Sequence, residues 1–253
     1  MSAGDFWAEC NAVMRTHGMD SILAYMLIML EKSKGKQLVT YDTLRELGTS
    51  VKLFPGVKTW FHRVNTYAEK KGLQAEHYII SSGLKEIIAG TSIASEFKEI
   101  YAASFCYDGN GVPFWPAMAV NYTSKTQFLF RINKGVLDVT ENKGLNEFMP
   151  ENRRRVPFQN MIYIGDGLTD VPCMKLTKAN GGHSIAVYQE NKREADDMIL
   201  SSRVDFVVNA DYSKGSEMER TVFEVIDKVA ASAKIAKRHM DNYDKAFEGH
   251  YRN

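Results

Sequence analysis

Two carboxylates near the middle of the chain are the residues best placed to do chemistry. Asp166 and Asp170 follow the apolar run 161–164 and are separated by a Gly-Leu-Thr turn. A parallel strand buried on both faces is almost continuously apolar, and ligands in open α/β sheets bind beyond the carboxyl ends of such strands. A hard cation such as Mg²⁺ relieves the repulsion between two such carboxylates. The pattern therefore predicts a strand followed by an Mg²⁺ site; the alternative is a turn that only caps the next helix.

A second candidate is a hydroxyl group that follows another short strand. The apolar run 77–80 leads into Ser81, Ser82 and Gly83, and a helix is predicted over about 84–89. A hydroxyl beside free backbone N–H groups at a helix start is a natural phosphate cradle. The alternative is an ordinary turn, because a strand followed by Ser and Gly is common in α/β proteins.

The acidic segment resembles a motif of a known enzyme family. Residues 163–172, Tyr-Ile-Gly-Asp-Gly-Leu-Thr-Asp-Val-Pro, are similar to the fourth signature motif of the haloacid dehalogenase (HAD) superfamily of phosphatases. The resemblance implies that Asp166 and Asp170 hold Mg²⁺. It also implies a Rossmann-like core, in which a parallel sheet is flanked by helices.

The resemblance assigns roles to two further segments. Ser81 matches the second motif of the family, in which a Ser or Thr binds the transferring phosphoryl group, and Ser82 is the fallback. The family also places a catalytic Lys at a helix start between its second and fourth motifs, which fits Lys125 ahead of the predicted helix 126–134. Lys134 is the alternative, although a cation at a helix C-terminus has an ordinary structural explanation.

The first motif of the family is missing from this sequence. It consists of an apolar strand followed by Asp-x-Asp-x-Thr or Val, and its first Asp attacks phosphorus. The nearest candidate, residues 37–44, lacks the second carboxylate, and helix capping explains Asp42. In the family this strand lies between those that here end at Ser81 and Gly165, so a central ladder of hydrogen bonds is expected to be lost too. The expectation is a chain that begins just after its own first motif, through a misplaced start, an incomplete gene or a natural loss.

The remaining sequence predicts where the elements lie. Helical spacing over 5–52 predicts a small helical cap, or else a part of the main core, and 53–253 is predicted to form the α/β core. Besides the two strands above, the patterns predict a hairpin at 99–116, strands at 184–188 and 205–208, and a helix at 58–71, at 171–177 and at 216–247. The polar stretch 136–157 is predicted to be an extra helix or flap.

Composition excludes several classes of partner. The formal charge of +1, from 32 Lys and Arg against 31 Asp and Glu, provides no field for nucleic acid or an anionic membrane. The longest apolar run, 22–30, is far shorter than the roughly 20 residues that span a bilayer. The three cysteines form no Cys-x-x-Cys pair, so a reducing cytoplasm is the default location. The oligomeric state is left open.

Two functions are compatible with these observations. The resemblance implies Mg²⁺-dependent hydrolysis of a small phosphorylated metabolite through an aspartyl-phosphate, as in phosphoserine phosphatases, whose cap also lies between the first and second motifs. Without the nucleophile, this chain is predicted to be inactive as given. The alternative is a non-catalytic phosphate-binding or regulatory protein with the same fold. A dinucleotide-binding protein is disfavoured, because no strand runs into Gly-x-Gly-x-x-Gly.

Overall fold

The structure is a computed structural model that describes residues 2–34 and 39–251, with side chains described through Glu248. Its helices are α1 (Ala3–His17), α2 (Ser21–Ser33), α3 (Tyr41–Thr49), α4 (Val57–Lys70), α5 (Lys85–Ala89), α6 (Lys125–Lys134), α7 (Lys143–Asn146), α8 (Val171–Ala179), α9 (Arg193–Leu200) and α10 (Glu217–Tyr251). Its strands are β1 (Tyr78–Leu84), β2 (Glu99–Tyr107), β3 (Pro113–Met118), β4 (Ile162–Gly165), β5 (His183–Tyr188) and β6 (Phe206–Asn209).

Helix capping explains how the first helices begin. In α1 the Ser2 hydroxyl accepts the Asp5 N–H at 3.1 Å, while the Asp5 carboxylate accepts the Ser2 N–H at 3.2 Å. Thr40 caps α3 by accepting the Thr43 N–H at 3.1 Å. Asp42 lies exposed in the first turn of α3, whereas residues 37 and 38 of the same segment lie outside the described residues. Thr40 rather than Asp42 is therefore the cap of α3, and Asp42 lies in the first turn, where a carboxylate interacts favourably with the helix dipole.

The chain divides into two compact units, which are described separately. Unit 1 contains residues 1–53, 76–157 and 167–176, and unit 2 contains 54–75, 158–166 and 177–253. The predicted boundary between a cap and a core at residue 52 stays a prediction. Within the described ranges, β1 pairs with no strand other than β2, and β4 with none other than β5.

Unit 1 is built on a three-stranded sheet in the order β1-β2-β3. Strands β1 and β2 are parallel, and β2 and β3 form the predicted antiparallel hairpin. Asp108 shapes the turn between them, because its carboxylate accepts the N–H groups of Asn110 and Val112 at 2.8 and 2.9 Å. One hydrophobic cluster joins the helices α2 and α3 to this sheet. Its buried members are Ile22, Met26, Leu44, Leu84, Ala103 and Phe105.

Unit 2 contains a second sheet, β4-β5-β6, in which every pair is parallel. Helices α9 and α10 pack against its strands, and α4 packs against α10. The four central residues of β5 are buried and mostly apolar, as expected for a strand that is covered on both faces. The predicted α/β class, with parallel strands flanked by helices, is confirmed. None of the helices in the described ranges combines the length and apolar composition needed to cross a bilayer.

Candidate functional site

A buried ion pair in unit 1 joins two of the predicted site residues. The Lys125 Nζ lies 2.7 Å from Asp170 Oδ1, and their side chains are only 5% and 9% exposed. The Thr169 hydroxyl lies 3.4 Å from the same Nζ. Because two charges lose their hydration when they are buried, such a pair persists only with good mutual geometry. The structure therefore brings together residues that are 45 positions apart in the chain.

Local sequence explains why Lys125 points into the protein. Lys125 is the first residue of α6, as predicted, and Ser124 precedes it. The Asn121 carboxamide accepts the Ser124 N–H at 3.1 Å, while the Ser124 hydroxyl accepts the Asn121 N–H at 2.8 Å. Asp170 ends the short 3₁₀ helix Leu168–Asp170 that leads into α8. Both side chains are therefore held at helix starts, where the backbone direction is fixed.

The two serines of the predicted phosphate cradle have different surroundings. The Ser81 hydroxyl accepts the Gly83 N–H at 3.0 Å, which leaves its O–H able to donate. The Ser82 hydroxyl is buried and has no hydrogen-bond partner among the described residues, and the Ser82 carbonyl accepts the Tyr25 hydroxyl at 2.8 Å. The geometry favours Ser81 over Ser82 as the group that a ligand can reach.

The cradle differs from the prediction in one respect. Strand β1 continues through the serines with an irregularity between Ser81 and Leu84, and α5 begins only at Lys85. Since α5 has five residues, its dipole is small, so the Ser81 hydroxyl is the main phosphate-binding group that this segment offers. Helix α6 packs against β1, so Lys125 and Ser81 belong to contacting elements of unit 1.

Asp166 belongs to unit 2, where it is exposed directly after β4. Burial, and then the charge of Asp166, raise the pKa of Tyr212 to about 12. Asp166 also lines a cavity of about 210 Å³, together with Phe54, Glu190 and Glu194. Three carboxylates around one cavity repel anions, so this cavity by itself does not suit a phosphate group.

The predicted Mg²⁺ ligands are of the type that the metal prefers, but one of them already has a cationic partner. Carboxylate oxygens are the donors that Mg²⁺ prefers, and Asp166 and Asp170 both supply them. However, Lys125 already contacts Oδ1 of Asp170. In the part of the chain that the structure describes, no group of three or more His, Cys, Asp or Glu side chains is arranged to hold a metal ion. Because Lys125 competes with a metal ion for Asp170, binding of Mg²⁺ through these residues is expected to be weak.

Lys134, the alternative catalytic lysine, has a structural contact. Its Nζ donates to the carbonyl groups of Leu145 and Glu147, the latter at 2.6 Å. These contacts fasten the polar stretch 136–157 to the end of α6. Arg131 does the same, since its guanidinium donates to the carbonyls of Asp138 and Glu141 at 2.7 and 3.0 Å. The predicted extra helix within this stretch is α7, followed by a short 3₁₀ helix.

Glu76 ties the end of this stretch to the start of β1. Its carboxylate accepts hydrogen bonds from Arg155 at 2.7 Å and from the Tyr78 hydroxyl at 2.6 Å, and it pairs with Lys98. Hydrogen bonds from Arg155, Lys98 and Tyr78 lower the pKa of Glu76 from 4.5 to about 2, and the bond from Arg155 contributes most. Arg155 is therefore engaged in an ion pair with Glu76, although its own side chain is 38% exposed, and Arg153 is also exposed.

We expect Glu76→Gln to destabilise the protein at neutral pH but not in acid. A carboxyl whose folded pKa lies below its unfolded pKa stabilises the fold above the unfolded value, and that contribution disappears as the pH falls from 4.5 towards about 2. The loss at about pH 7 should be about 1–2 kcal/mol, because Lys98 and Arg155 are each 38% exposed and solvent screens their attraction to Glu76. Denaturant unfolding at about pH 7 and about pH 2 measures it, with Glu96→Gln, an exposed carboxyl, as the control. An equal loss at both pH values would contradict the assignment.

Sequence reasoning missed several residues around these groups. Thr169 contacts Lys125, and its only signal was its position between the two predicted metal ligands. Glu190 and Glu194 line the same cavity as Asp166, and the charge of Asp166 affects the pKa of Tyr212. All three residues come from distant parts of the chain. No spacing pattern in a single sequence indicates such neighbours.

The chain is similar to known proteins in sequence and in structure. No family model matches the sequence. The chain is 29% identical over 204 residues to an uncharacterized protein of Borreliella burgdorferi, covering 72% of this chain and 70% of that protein. In structure it is similar to cytosolic 5'-nucleotidase IIIB, crystallised with cytidine, with a TM-score of 0.46 and 15% identity over 93% of this chain and 76% of that chain.

Proposed function

We propose that this chain has the site of a HAD-type phosphatase without the nucleophile. The observation that carries the proposal is the buried ion pair between Lys125 and Asp170. It joins the lysine assigned to the third motif to an aspartate of the fourth motif. A buried ion pair is no better for stability than well-packed apolar residues, so its use here favours a functional role.

The proposed roles follow the motifs. Ser81 donates a hydrogen bond to a bound phosphate, and Lys125 offsets negative charge on phosphate and carboxylate. Asp166 and Asp170, four residues apart in one sequence motif, are the proposed ligands of Mg²⁺. When it is bound, Mg²⁺ supplies positive charge for phosphoryl chemistry. The substrate class is a small phosphomonoester, and the N-terminal helices ahead of the second motif favour a phosphoserine-phosphatase-like member.

The nucleophile is the part of the machinery that this sequence lacks. No Asp-x-Asp pair occurs in the 253 residues. Asp42, the nearest candidate, is explained by the start of α3. Since covalent phosphoryl transfer needs a nucleophile, the chain as given is proposed to bind phosphate without hydrolysing its esters. A non-catalytic phosphate-binding or regulatory protein is the second candidate, and the lack of a nucleophile is the observation that favours it.

Metal binding tests the assignment of the fourth motif. We expect the chain to bind Mg²⁺ weakly and Asp166→Asn to abolish that binding, because Asp170 is already engaged by Lys125. Titration calorimetry on the purified chain measures the affinity. Glu190→Gln is the matched control, since Glu190 lines the same cavity as Asp166 but lies outside the motif. Tight binding that survives Asp166→Asn would move the metal site elsewhere.

A further inference from the structure

The long C-terminal helix α10 has two halves with different surroundings. In its first half, buried side chains pack against unit 2; they are Met218, Val222, Val225, Ile226 and Ala230. In its second half, every residue from 231 to 248 is exposed. Most of the stability of a protein helix comes from packing of its apolar face rather than from its intrinsic propensity. Packing against the rest of unit 2 therefore does not account for the stability of the exposed second half.

The exposed half carries an apolar stripe. Ala233, Ala236, Met240, Tyr243 and Phe247 follow one another at steps of three, four, three and four residues. The three large side chains are 52%, 57% and 52% exposed in that order. Such a stripe follows the heptad spacing of a coiled coil over about two heptads, with Met240 and Phe247 at position a and Tyr243 at position d.

Charged residues beside the stripe are arranged symmetrically. Lys237 and Asp244 both occupy position e of this heptad; along the sequence, Lys237 precedes Met240 and Asp244 follows Tyr243. In an antiparallel pair of helices, e faces e of the other helix. Lys237 then meets the partner's Asp244, and the two-fold axis repeats the same pair at the other end. In a parallel pair, e faces g, and the g residues Ser232, His239 and Ala246 supply no carboxylate for Lys237.

The apolar layers are complementary in the same antiparallel arrangement. Positions a and d face each other, so Met240 meets the partner's Tyr243 and Ala236 meets the partner's Phe247. A small side chain therefore lies opposite the largest one, as dense packing requires. A surface that matches itself about a two-fold axis is what a symmetric dimer needs.

We propose that residues 231–248 of α10 form an antiparallel two-stranded coiled coil with the same segment of a second copy of this chain. A different partner would not require charges of opposite sign at symmetric positions. The formal charge of +1 also leaves little overall repulsion between two copies. This inference does not depend on the proposed phosphatase site.

Sedimentation equilibrium of the full chain tests the dimer. We expect a monomer–dimer equilibrium whose dissociation constant rises about 100-fold or more in Met240→Glu, because that change buries a charge in the central layer. Ile235→Glu is the control, since Ile235 is 71% exposed and lies off the stripe. Circular dichroism verifies that both variants keep the fold. A chain that stays monomeric up to about 100 µM would overturn the proposal.

Charge exchange tests the antiparallel arrangement. Lys237→Glu alone and Asp244→Lys alone should each weaken the dimer roughly tenfold, because each places like charges opposite one another at two points. The double variant exchanges both charges and should restore the affinity of the original chain. Failure of the double variant to recover, while both single variants remain folded, would overturn the arrangement.

Discussion

Replacing Lys125 by Met should lower the free energy of unfolding by about 3–5 kcal/mol. The methionine fills most of the volume of the lysine stem, but Asp170 would be left as a buried carboxylate without its ammonium partner. Removing one member of a buried ion pair is costly because the desolvated charge that remains is uncompensated. Denaturant unfolding monitored by circular dichroism measures the loss.

Two further variants separate this effect from ordinary loss of contacts. Lys134→Met, at the other end of α6, should cost only about 1 kcal/mol, because Lys134 contacts backbone carbonyls near the surface. The double variant Lys125→Met with Asp170→Leu should recover most of the stability, since it removes both charges together. Equal losses of unfolding free energy in the two single lysine variants would contradict the stabilising role assigned to the ion pair.

Most helices and the class of the fold could be predicted because their signals are local. The start of α3 follows from Thr40 and Thr43, and the hairpin between β2 and β3 follows from the turn at Asp108. Each of these features depends on residues within four positions of one another. The position of Lys125 at the start of α6 could be predicted in the same way, from the residues around it.

Features that depend on contacts between residues far apart in the chain were harder to predict from the sequence. The sequence contains no pattern that pairs Lys125 with Asp170; only the family resemblance placed both in one site. The polar residues Ser81 and Ser82 suggested the end of a strand, yet pairing with β2 extends β1 through them. Helix α9 was not predicted, because Ala195 and Met198 are its only buried residues and give a weak periodic signal.

Phosphatase activity should be absent from residues 1–253 and should appear when a nucleophile is supplied. We expect a chain with an apolar strand and Asp-x-Asp-x-Thr fused ahead of Ser2 to hydrolyse a generic aryl phosphate several orders of magnitude faster than the unmodified chain, and only with Mg²⁺. The edges of β1 and β4 have no second strand partner in the described part of the chain, so an added strand has an edge on which to pair. Steady-state assays with and without Mg²⁺ measure the gain.

The controls decide whether the grafted chain reacts as proposed. Asn in place of the first Asp of the graft should abolish hydrolysis and leave the cooperativity of unfolding intact, because that change removes the nucleophile but not the strand. Lys125→Ala in the active graft, assayed where circular dichroism shows that it is folded, should lower turnover by orders of magnitude, whereas Lys134→Ala should leave turnover nearly unchanged and cost about 1 kcal/mol of stability. Vigorous turnover by the unmodified chain that is lost in Asp42→Asn would instead make Asp42 the nucleophile. A grafted chain that folds and binds phosphate at Ser81 but never hydrolyses its esters would favour the non-catalytic binding protein.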